Sequence, residues 1–301
     1  MKPSAGSDTT EDPTGGAAYV VSPPVGRPAP VVIDSPHSGF TFPPDWAPSA
    51  PLAALRTTWD AHVDRLFAHA PEHGAMLLAA EFPRAFCDVN RAEDDLDPAV
   101  LAASWPSPLR PTSYSQRGMG LIRRLALPDV PMYAAPLSVR DVETRITRFY
   151  RPYRAALRAM LDEAREADGF VWHVNCHSMK SVGNAMNVDA GAARPDIVVS
   201  DGRGTTADPA LTARIAEWFS LRGYRSAVND PYQGGDLVRS FGAPSMGVHS
   251  VQIELNRALY MDEATAEPHE GFEALQEELT AFAAALCSWA RDARSGLGVD
   301  R

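Results

Sequence analysis

The segment VVIDSPHSG, residues 31–39, decides the predicted fold. Its β-branched first half favours a strand, and the proline and glycine that follow end that strand in a turn. The turn places His37 at the tip of a core strand, where the loops of α/β proteins carry chemistry. The segment therefore predicts both a central strand and a candidate functional histidine.

A second segment, GFVWHVNCHSM at residues 169–179, has the same form. It is an apolar run that ends in Asn-Cys-His-Ser, with His177 at the tip. Two strands that neighbour each other in one parallel sheet bring their carboxyl ends together. We therefore predict that His37 and His177 hold one metal ion. The alternative is that each is a hydrogen-bonded histidine at a strand end.

Outward from these two segments, apolar runs alternate with helical patterns. Strands are predicted over residues 75–80, 82–91, 197–200, 224–228 and 248–255, and helices over 56–74, 139–168 with a kink at Pro152, 208–221 and 272–291. This alternation predicts an α/β fold, a three-layer sandwich with a central mixed, mainly parallel sheet. Residues 1–17 are predicted to be a disordered tail, and residues 18–301 a single domain.

Composition excludes several classes of protein. The net charge of −10 argues against nucleic-acid binding, which needs clustered Lys and Arg. No apolar run approaches the roughly 20 residues that span a bilayer. Three widely spaced cysteines favour reduced thiols and a cytoplasmic location over a disulfide framework. The sequence predicts no membrane partner and leaves the oligomeric state open.

The third metal ligand is predicted to be acidic. Zinc in hydrolytic sites takes three protein ligands from His, Asp and Glu. Asp60 and Asp64 are four residues apart in the predicted helix 56–74, so they would share one face. His62 lies on another face and is the weaker candidate. Both aspartates stay open as the third ligand, with a solvated helix edge as the alternative.

A candidate base lies in the strand predicted over residues 248–255. Residues two apart in a strand share a face, so Gln252, Glu254 and Asn256 point together while Val251 and Ile253 point to the core. Beside a pair of strand-end histidines, Glu254 would be a natural general base toward activated water. The alternative is three solvent-exposed polar groups.

Four arginines flank predicted strand ends or loops in this acidic chain: Arg84, Arg91, Arg239 and Arg257. Arginine suits bidentate binding of a carboxylate. Asn90 and Arg91 together offer several converging donors and are the favoured pair. The alternative for the other arginines is surface charge and local salt bridges.

Seven motifs in order resemble the N-formylglutamate amidohydrolase family. They cover residues 31 to 263 and read SPHSG (35–39), DAHVDRLF (60–67), FPR (82–84) with DVNR (88–91), NCHSM (175–179), DIV (196–198), PYQGG (231–235) and QIELNRALYMDE (252–263). The resemblance implies a phosphorylase/hydrolase-like fold related to the zinc carboxypeptidases. It also implies a metal-dependent hydrolase that cleaves N-formyl-L-glutamate to formate and glutamate.

By position, the resemblance makes His37 and His177 metal ligands and Glu254 the base. The Asn90–Arg91 pair resembles the carboxylate-binding Asn-Arg pair of the carboxypeptidases. One departure matters, because carboxypeptidase-type sites take a Glu three residues after the first His and this chain has Phe40 there. The acidic ligand must come from elsewhere, with Asp60 favoured and Asp64 as its alternative.

We therefore predict an amidohydrolase that binds one divalent ion, zinc, and acts on a small N-acyl amino acid. The predicted substrate-binding residues are Arg84, Asn90, Arg91, Gly234, Gly235, Arg239 and Arg257. One alternative is a metal-free hydrolase with Ser38 or Ser178 as nucleophile, although neither serine lies in a Gly-x-Ser-x-Gly elbow. Another is a non-catalytic protein that binds an amino acid.

Overall fold

The computed structural model describes residues 17–187 and 189–296. The tail predicted over residues 1–17 lies outside these residues except for Ala17, as do residues 188 and 297–301 of the predicted domain. Within the described residues, no helix combines the length and the apolar character needed to cross a membrane.

A mixed sheet forms the middle layer. The strands, numbered along the chain, are β1 (Tyr19–Ser22), β2 (Val31–Ser35), β3 (Met76–Ala80), β4 (Leu125–Leu127), β5 (Val130–Pro131), β6 (Val171–Met179), β7 (Ile197–Ser200), β8 (Ser226–Val228) and β9 (Val248–Asn256). Seven of them form one sheet in the order β1-β3-β2-β6-β9-β7-β8, and β4 pairs with β5 alone. Within the sheet, β1 is antiparallel to β3 and β7 to β9, and the other pairs are parallel. The predicted mixed, mainly parallel sheet is confirmed.

Helices cover both faces of this sheet. They are α1 (Leu52–Arg56), α2 (Val63–Leu66), α3 (Ser113–Gln116), α4 (Val139–Arg145), α5 (Arg151–Asp168), α6 (Pro209–Ser220), α7 (Asp236–Phe241) and α8 (Gly271–Gly296), with short 3-10 helices at Ala70–His73, Pro98–Val100, Pro244–Met246 and Arg257–Leu259. Side chains of α2, α6 and α8 enter one hydrophobic core. Side chains of α4, α5 and α7 enter the other core, on the opposite face. The result is the predicted three-layer arrangement.

The central strands are buried on both sides because helices cover both faces. The alternation predicted for β9 is present. Val251, Ile253 and Leu255 enter the core of α2, α6 and α8, and Gln252 and Glu254 line a cavity instead. Period-two alternation thus separates the side chains of one strand into those that pack in the core and those that line the cavity.

The long helix predicted over residues 139–168 is present in three parts. Between α4 and α5 lies a π-helical turn at Ile146–Tyr150. Pro152 follows in the first turn of α5, where its missing N–H cannot close a regular helical hydrogen bond. The wider turn directly before it takes the place of a simple kink. Tyr153, Leu157 and Leu161 are buried on the predicted face.

The helix predicted over residues 56–74 is wrong. The hydroxyls of Thr57 and Thr58 donate to backbone carbonyls of α1, at 2.8 Å each, and such bonds compete with continued helix. His62 then adopts a left-handed φ of 64°. Only α2 and a 3-10 helix form in the remainder. Asp60 therefore lies in a turn rather than on a helix face.

The strand predicted over residues 82–91 is also wrong. Turns replace it, with the Phe86 amide donating to the Pro83 carbonyl at 2.9 Å and the Asp88 amide to Leu121 at 2.8 Å. Proline has no N–H to give to a strand ladder, which favours the turn. Folding back in this way brings the side chains of this segment to the cavity.

A buried carboxylate joins the sheet to α5. Asp34 in β2 accepts hydrogen bonds from Tyr153 Oη at 2.8 Å, His173 Nε2 at 2.9 Å and Asn175 Nδ2 at 2.8 Å. Burial would raise the pKa of Asp34, but His173 and the other donors more than offset it and hold the pKa below its ordinary value. The network fixes Asn175 in β6, two residues before His177.

We expect Asp34→Ala to lower the free energy of unfolding by about 3–5 kcal/mol, because it removes a buried charge and leaves its donors unpaired. Tyr153→Phe removes one donor and should cost about 1–2 kcal/mol. Urea unfolding measures both. Asp45→Ala, at an exposed position, should stay within about 0.5 kcal/mol. An Asp34→Ala cost no larger than this control would contradict the assigned role.

Candidate active site

The candidate site lies at the carboxyl ends of the parallel strands. Because β2, β6 and β9 run side by side in the same direction, their ends meet at one edge of the sheet. His37 follows β2, and His177 and Glu254 are register partners in β6 and β9. All three line a cavity of about 420 Å³.

Three side-chain atoms converge in this cavity. His37 Nδ1 lies 3.0 Å from His177 Nδ1 and 3.3 Å from Asp60 Oδ2, and His177 Nδ1 lies 3.0 Å from the same oxygen. All three residues are buried. The structure thus brings together two predicted histidines and one predicted aspartate from distant parts of the chain.

The outer nitrogen of each imidazole has an acceptor of its own. His37 Nε2 donates to Asp88 Oδ1 at 2.7 Å, and His177 Nε2 donates to Asn175 Oδ1 at 2.7 Å. Asn175 is oriented for this role because its Nδ2 donates to Asp34. With the protons on the outer nitrogens, both Nδ1 atoms present lone pairs to each other and to Asp60.

The two oxygens of the Asp60 carboxylate have different partners. Its Oδ1 accepts from Arg257 at 2.8 Å, and Arg84 lies 3.7 Å away. Its Oδ2 faces the two histidines. Burial would raise the pKa of Asp60, but its short contacts with His177 and His37 and the charge of Arg84 hold the pKa well below its ordinary value. Asp60 is therefore ionised.

This donor set fits a divalent metal ion. With the outer nitrogens protonated, two imidazole nitrogens and a carboxylate oxygen turn lone pairs toward one another in a buried position, an arrangement that a bound cation would stabilise. In a tetrahedral site with bonds of about 2.0–2.1 Å, ligand atoms lie about 3.3 Å apart. The observed spacing of 3.0–3.3 Å is close to that value. His37, Asp60 and His177 are also the group of described residues whose ligand atoms lie close enough together to hold an ion.

The structure distinguishes the two aspartates proposed as the third ligand. Asp60 reaches the group because its amide donates to the His37 carbonyl at 3.1 Å, which joins its turn to the loop after β2. Asp64 is half-buried in α2 and lies outside the cavity. Burial raises its pKa. His62 Nε2 contacts the carbonyl of Ala266, also away from the group.

Glu254 stands beside the metal-binding group with one polar partner. Gln252 Nε2 donates to Glu254 Oε1 at 2.9 Å, and Gln252 Oε1 accepts from the Gly235 amide at 2.7 Å. Burial raises the pKa of Glu254, and the charges of His177 and Arg84 oppose the rise. A carboxylate held in place with a raised pKa has the properties of a general base.

The predicted cations differ in how they are paired. Arg84 binds Asp88 Oδ2 through two nitrogens, at 2.7 and 3.2 Å. Arg257 binds Asp60 and also donates to Ser178 Oγ at 3.1 Å. These two arginines thus support the metal-binding group directly.

The remaining predicted arginines have no carboxylate partner among the described residues. Arg91 donates to the carbonyls of Met119 and Asn90, at 3.0 Å each, and its guanidinium lies over the ring of Tyr114. Arg239 is exposed at the rim of the cavity. Both are available to an anion that enters the cavity.

Glycine at position 235 allows a close approach to Asn90. A Cβ at Gly235 would lie 2.3 Å from Asn90 Nδ2 and 2.4 Å from Oδ1. Asn90 Oδ1 accepts from the Leu237 amide at 2.8 Å, which turns its Nδ2 toward His177 at 3.0 Å. Gly234, the other predicted glycine, has a φ of 97° that favours glycine.

Sequence reasoning missed the residues that orient the ligands. The sequence does contain a pattern that points to Asn175. It lies two residues from both His173 and His177 in a largely apolar strand, so the three side chains share one face. Asp88 was seen only as part of the motif beside Asn90, because its role depends on a contact with a distant histidine. Gln252 was placed on the correct face without a role.

Comparisons with known proteins agree on one family. The family model described as N-formylglutamate amidohydrolase matches residues 29–261. The N-formylglutamate deformylase of Pseudomonas aeruginosa is 29% identical over 271 residues, covering 87% of this chain and 94% of its own. That of Pseudomonas putida is 28% identical over 240 residues, covering 78% and 82%. The crystal structure of N-formylglutamate amidohydrolase from Ralstonia eutropha JMP134 has a TM-score of 0.88 at 39% identity, covering 92% of this chain and 99% of its own.

We expect Asp60→Asn to weaken zinc binding by more than about 100-fold, because loss of a ligand costs more than loss of a residue that orients one. Asp64→Asn is the matched control and should bind zinc as the wild type does. Zinc per protein after dialysis, measured by atomic emission, tests both. Full zinc content in Asp60→Asn, or loss in Asp64→Asn alone, would contradict the assignment.

We expect Gly235→Ala to lower the free energy of unfolding by about 1–3 kcal/mol, because the new methyl overlaps the Asn90 amide. The φ of Gly235 is −85°, so backbone strain does not contribute. The cost should largely vanish in an Asn90→Ala background, as measured by a double-mutant cycle in urea. An equal cost in both backgrounds would rule out the overlap as its cause.

Proposed function

This chain belongs to the N-formylglutamate amidohydrolase family, as its motifs predicted, and we propose that it cleaves N-formyl-L-glutamate, or a similar N-acyl amino acid, to formate and L-glutamate. It is a hydrolase of amide C–N bonds. The observation that best supports the proposal is the convergence of His37, Asp60 and His177 beside Glu254.

The proposed mechanism depends on one divalent ion, zinc, held by His37 Nδ1, His177 Nδ1 and Asp60 Oδ2. When bound, such an ion supplies Lewis acidity toward the formyl carbonyl and toward water. Neighbouring side chains orient the three residues that would bind the ion. Asp88 and Asn175 hold the proton of each imidazole on the outer nitrogen, and Arg257 holds Asp60 through its other oxygen.

Glu254 moves the proton in this mechanism. Its carboxylate accepts a proton from the attacking water, and the water oxygen forms the new bond to the formyl carbon. Glu254 then gives that proton to the nitrogen as the C–N bond breaks, which releases glutamate as the amine. Gln252 keeps the carboxylate in place throughout.

Asn90 and Arg91 are proposed to bind the α-carboxylate of the substrate. The α-carboxylate is next to the scissile amide, and Asn90 and Arg91 line the same cavity as His37, Asp60 and His177. Gly235 packs directly against Asn90, and Gly234 and the exposed Arg239 line the same cavity. Arg84 and Arg257 are already paired, so they contribute positive potential and hold acidic residues in position.

A metal-free serine hydrolase has less support. Ser38 Oγ accepts from Ser35 at 3.0 Å, and Ser178 Oγ accepts from Arg257, so neither candidate nucleophile is paired with an imidazole in the contacts described. Ser250, His173 and Asp34 do have the connectivity of a catalytic triad. All three are fully buried, which closes them to substrate.

We expect Glu254→Gln to lower kcat by about 10²–10⁴-fold, because an amide cannot accept the proton. Zinc content should stay at the wild-type level, since Glu254 is not a ligand. Formate release from N-formyl-L-glutamate and atomic emission measure the two effects. Glu263→Gln, in a nearby loop outside the cavity, is the control and should keep the wild-type rate.

A near-native rate in Glu254→Gln would refute the base assignment. Full activity of the wild type after exhaustive chelation would favour the serine hydrolase instead. Tight binding of N-formyl-L-glutamate without turnover would favour a non-catalytic binding protein.

A further inference from the structure

Arg123 is a buried cation with no carboxylate partner among the described residues. It lies two residues before β4, lines the cavity, and is 7% exposed. Its Nε atom is buried without a hydrogen-bond partner, and no carboxylate of the described residues forms an ion pair with it. A buried guanidinium in this state carries a large desolvation cost, which an anion in the cavity would offset.

The groups around Arg123 further disfavour its positive charge, so a bound anion would stabilise it more strongly. Burial and the neighbouring charges of Arg84 and Arg91 lower the pKa of Arg123 to about 9, so it is still a cation at neutral pH. Lys180, which also lines the cavity, is affected in the same direction, since burial and the charges of Arg257 and Arg123 lower its pKa to about 8. Several cationic groups therefore lie close together on this side of the cavity, and the negative charges of Asp88 and Asp60 offset them in part.

Other cations of the cavity are already neutralised. Arg84 is paired with Asp88, Arg257 with Asp60, and Arg194 with Asp189 through two nitrogens at 2.7 and 2.8 Å. Arg123 has no such carboxylate contact among the described residues. It is therefore the buried guanidinium that can give its hydrogen bonds to a ligand.

We propose that Arg123 binds the side-chain carboxylate of the substrate and selects acidic N-acyl amino acids over neutral ones. This inference rests on the proposed function. Glutamate carries two carboxylates, and the Asn90–Arg91 pair beside His177 suits the one next to the amide. The second carboxylate is separated from Cα by two methylenes and needs a cation away from the metal ligands. A guanidinium offers two parallel N–H groups to such a carboxylate.

The test compares N-formyl-L-glutamate with N-formyl-L-glutamine, which has nearly the same shape and no side-chain charge. In zinc-loaded Arg123→Met, kcat/KM for N-formyl-L-glutamate should fall by about 10- to 100-fold, mainly through KM. The value for N-formyl-L-glutamine should change by less than about threefold. Arg123→Lys keeps the charge and should retain part of the preference.

Arg124→Met is the matched control. Arg124 is the next residue, is paired with Asp97 at 2.6 Å, and does not line the cavity. It should leave the ratio between the two substrates unchanged. Equal losses on both substrates in Arg123→Met, or an unchanged ratio, would overturn the inference while the proposed function stands.

A binding measurement separates this inference from the proposed function. L-Glutamate at saturating concentration should raise the melting temperature of the zinc-loaded wild type by a few degrees, and that of Arg123→Met much less. L-Glutamine should not distinguish the two proteins. If the wild type hydrolyses no N-formyl amino acid, the proposed function fails, yet this difference still supports the subsite. Equal stabilisation of both proteins by L-glutamate would refute it.

Discussion

Mutual repulsion among three electron-pair donors is the constraint on which the site depends. His37 Nδ1, His177 Nδ1 and Asp60 Oδ2 lie 3.0–3.3 Å apart in a buried setting, where no solvent screens them. A cation among the three atoms would relieve this repulsion. Asp88, Asn175 and Arg257 each contact the side of one of these residues that faces away from the cluster, and each fixes which atom is presented. The surrounding polar network thus holds the three facing atoms in position.

Charge is distributed unevenly in this protein. The chain as a whole carries −10, yet its cavity is lined by Arg84, Arg91, Arg123, Arg194, Arg239 and Arg257. Together with Lys180, these cations outnumber the carboxylates that also line the cavity, Asp60, Asp95, Asp236 and Glu254, and this excess favours a small anion there. Within the cavity a further division exists, since some guanidinium groups are paired with carboxylates and others are not. The paired ones hold carboxylates in position, and the others have no carboxylate partner among the described residues.

The sequence predicted the sheet well because its central strands are buried on both faces and read as apolar runs with polar tips. It also predicted His37, His177 and Glu254 at such tips, and the structure brings the three to one cavity. Asp60 was named for a reason that the structure contradicts, since no helix face joins it to Asp64. Asp88 and Arg123 escaped prediction because their roles depend on which groups lie next to them after folding. Burial without a partner, the property that distinguishes Arg123, has no trace in a linear sequence.

The direction of β7 has a consequence for how this fold can change. Because β7 runs antiparallel to β9, it starts at the same edge where β6 ends. The connection between them stays at that edge and contributes Lys180, Asn184, Met186, Asn187 and Arg194 to the cavity wall. A segment that need not cross the sheet can gain or lose residues without disturbing strand register. Changes in this loop can therefore reshape the cavity wall while His37, Asp60, His177 and the residues that orient them stay the same.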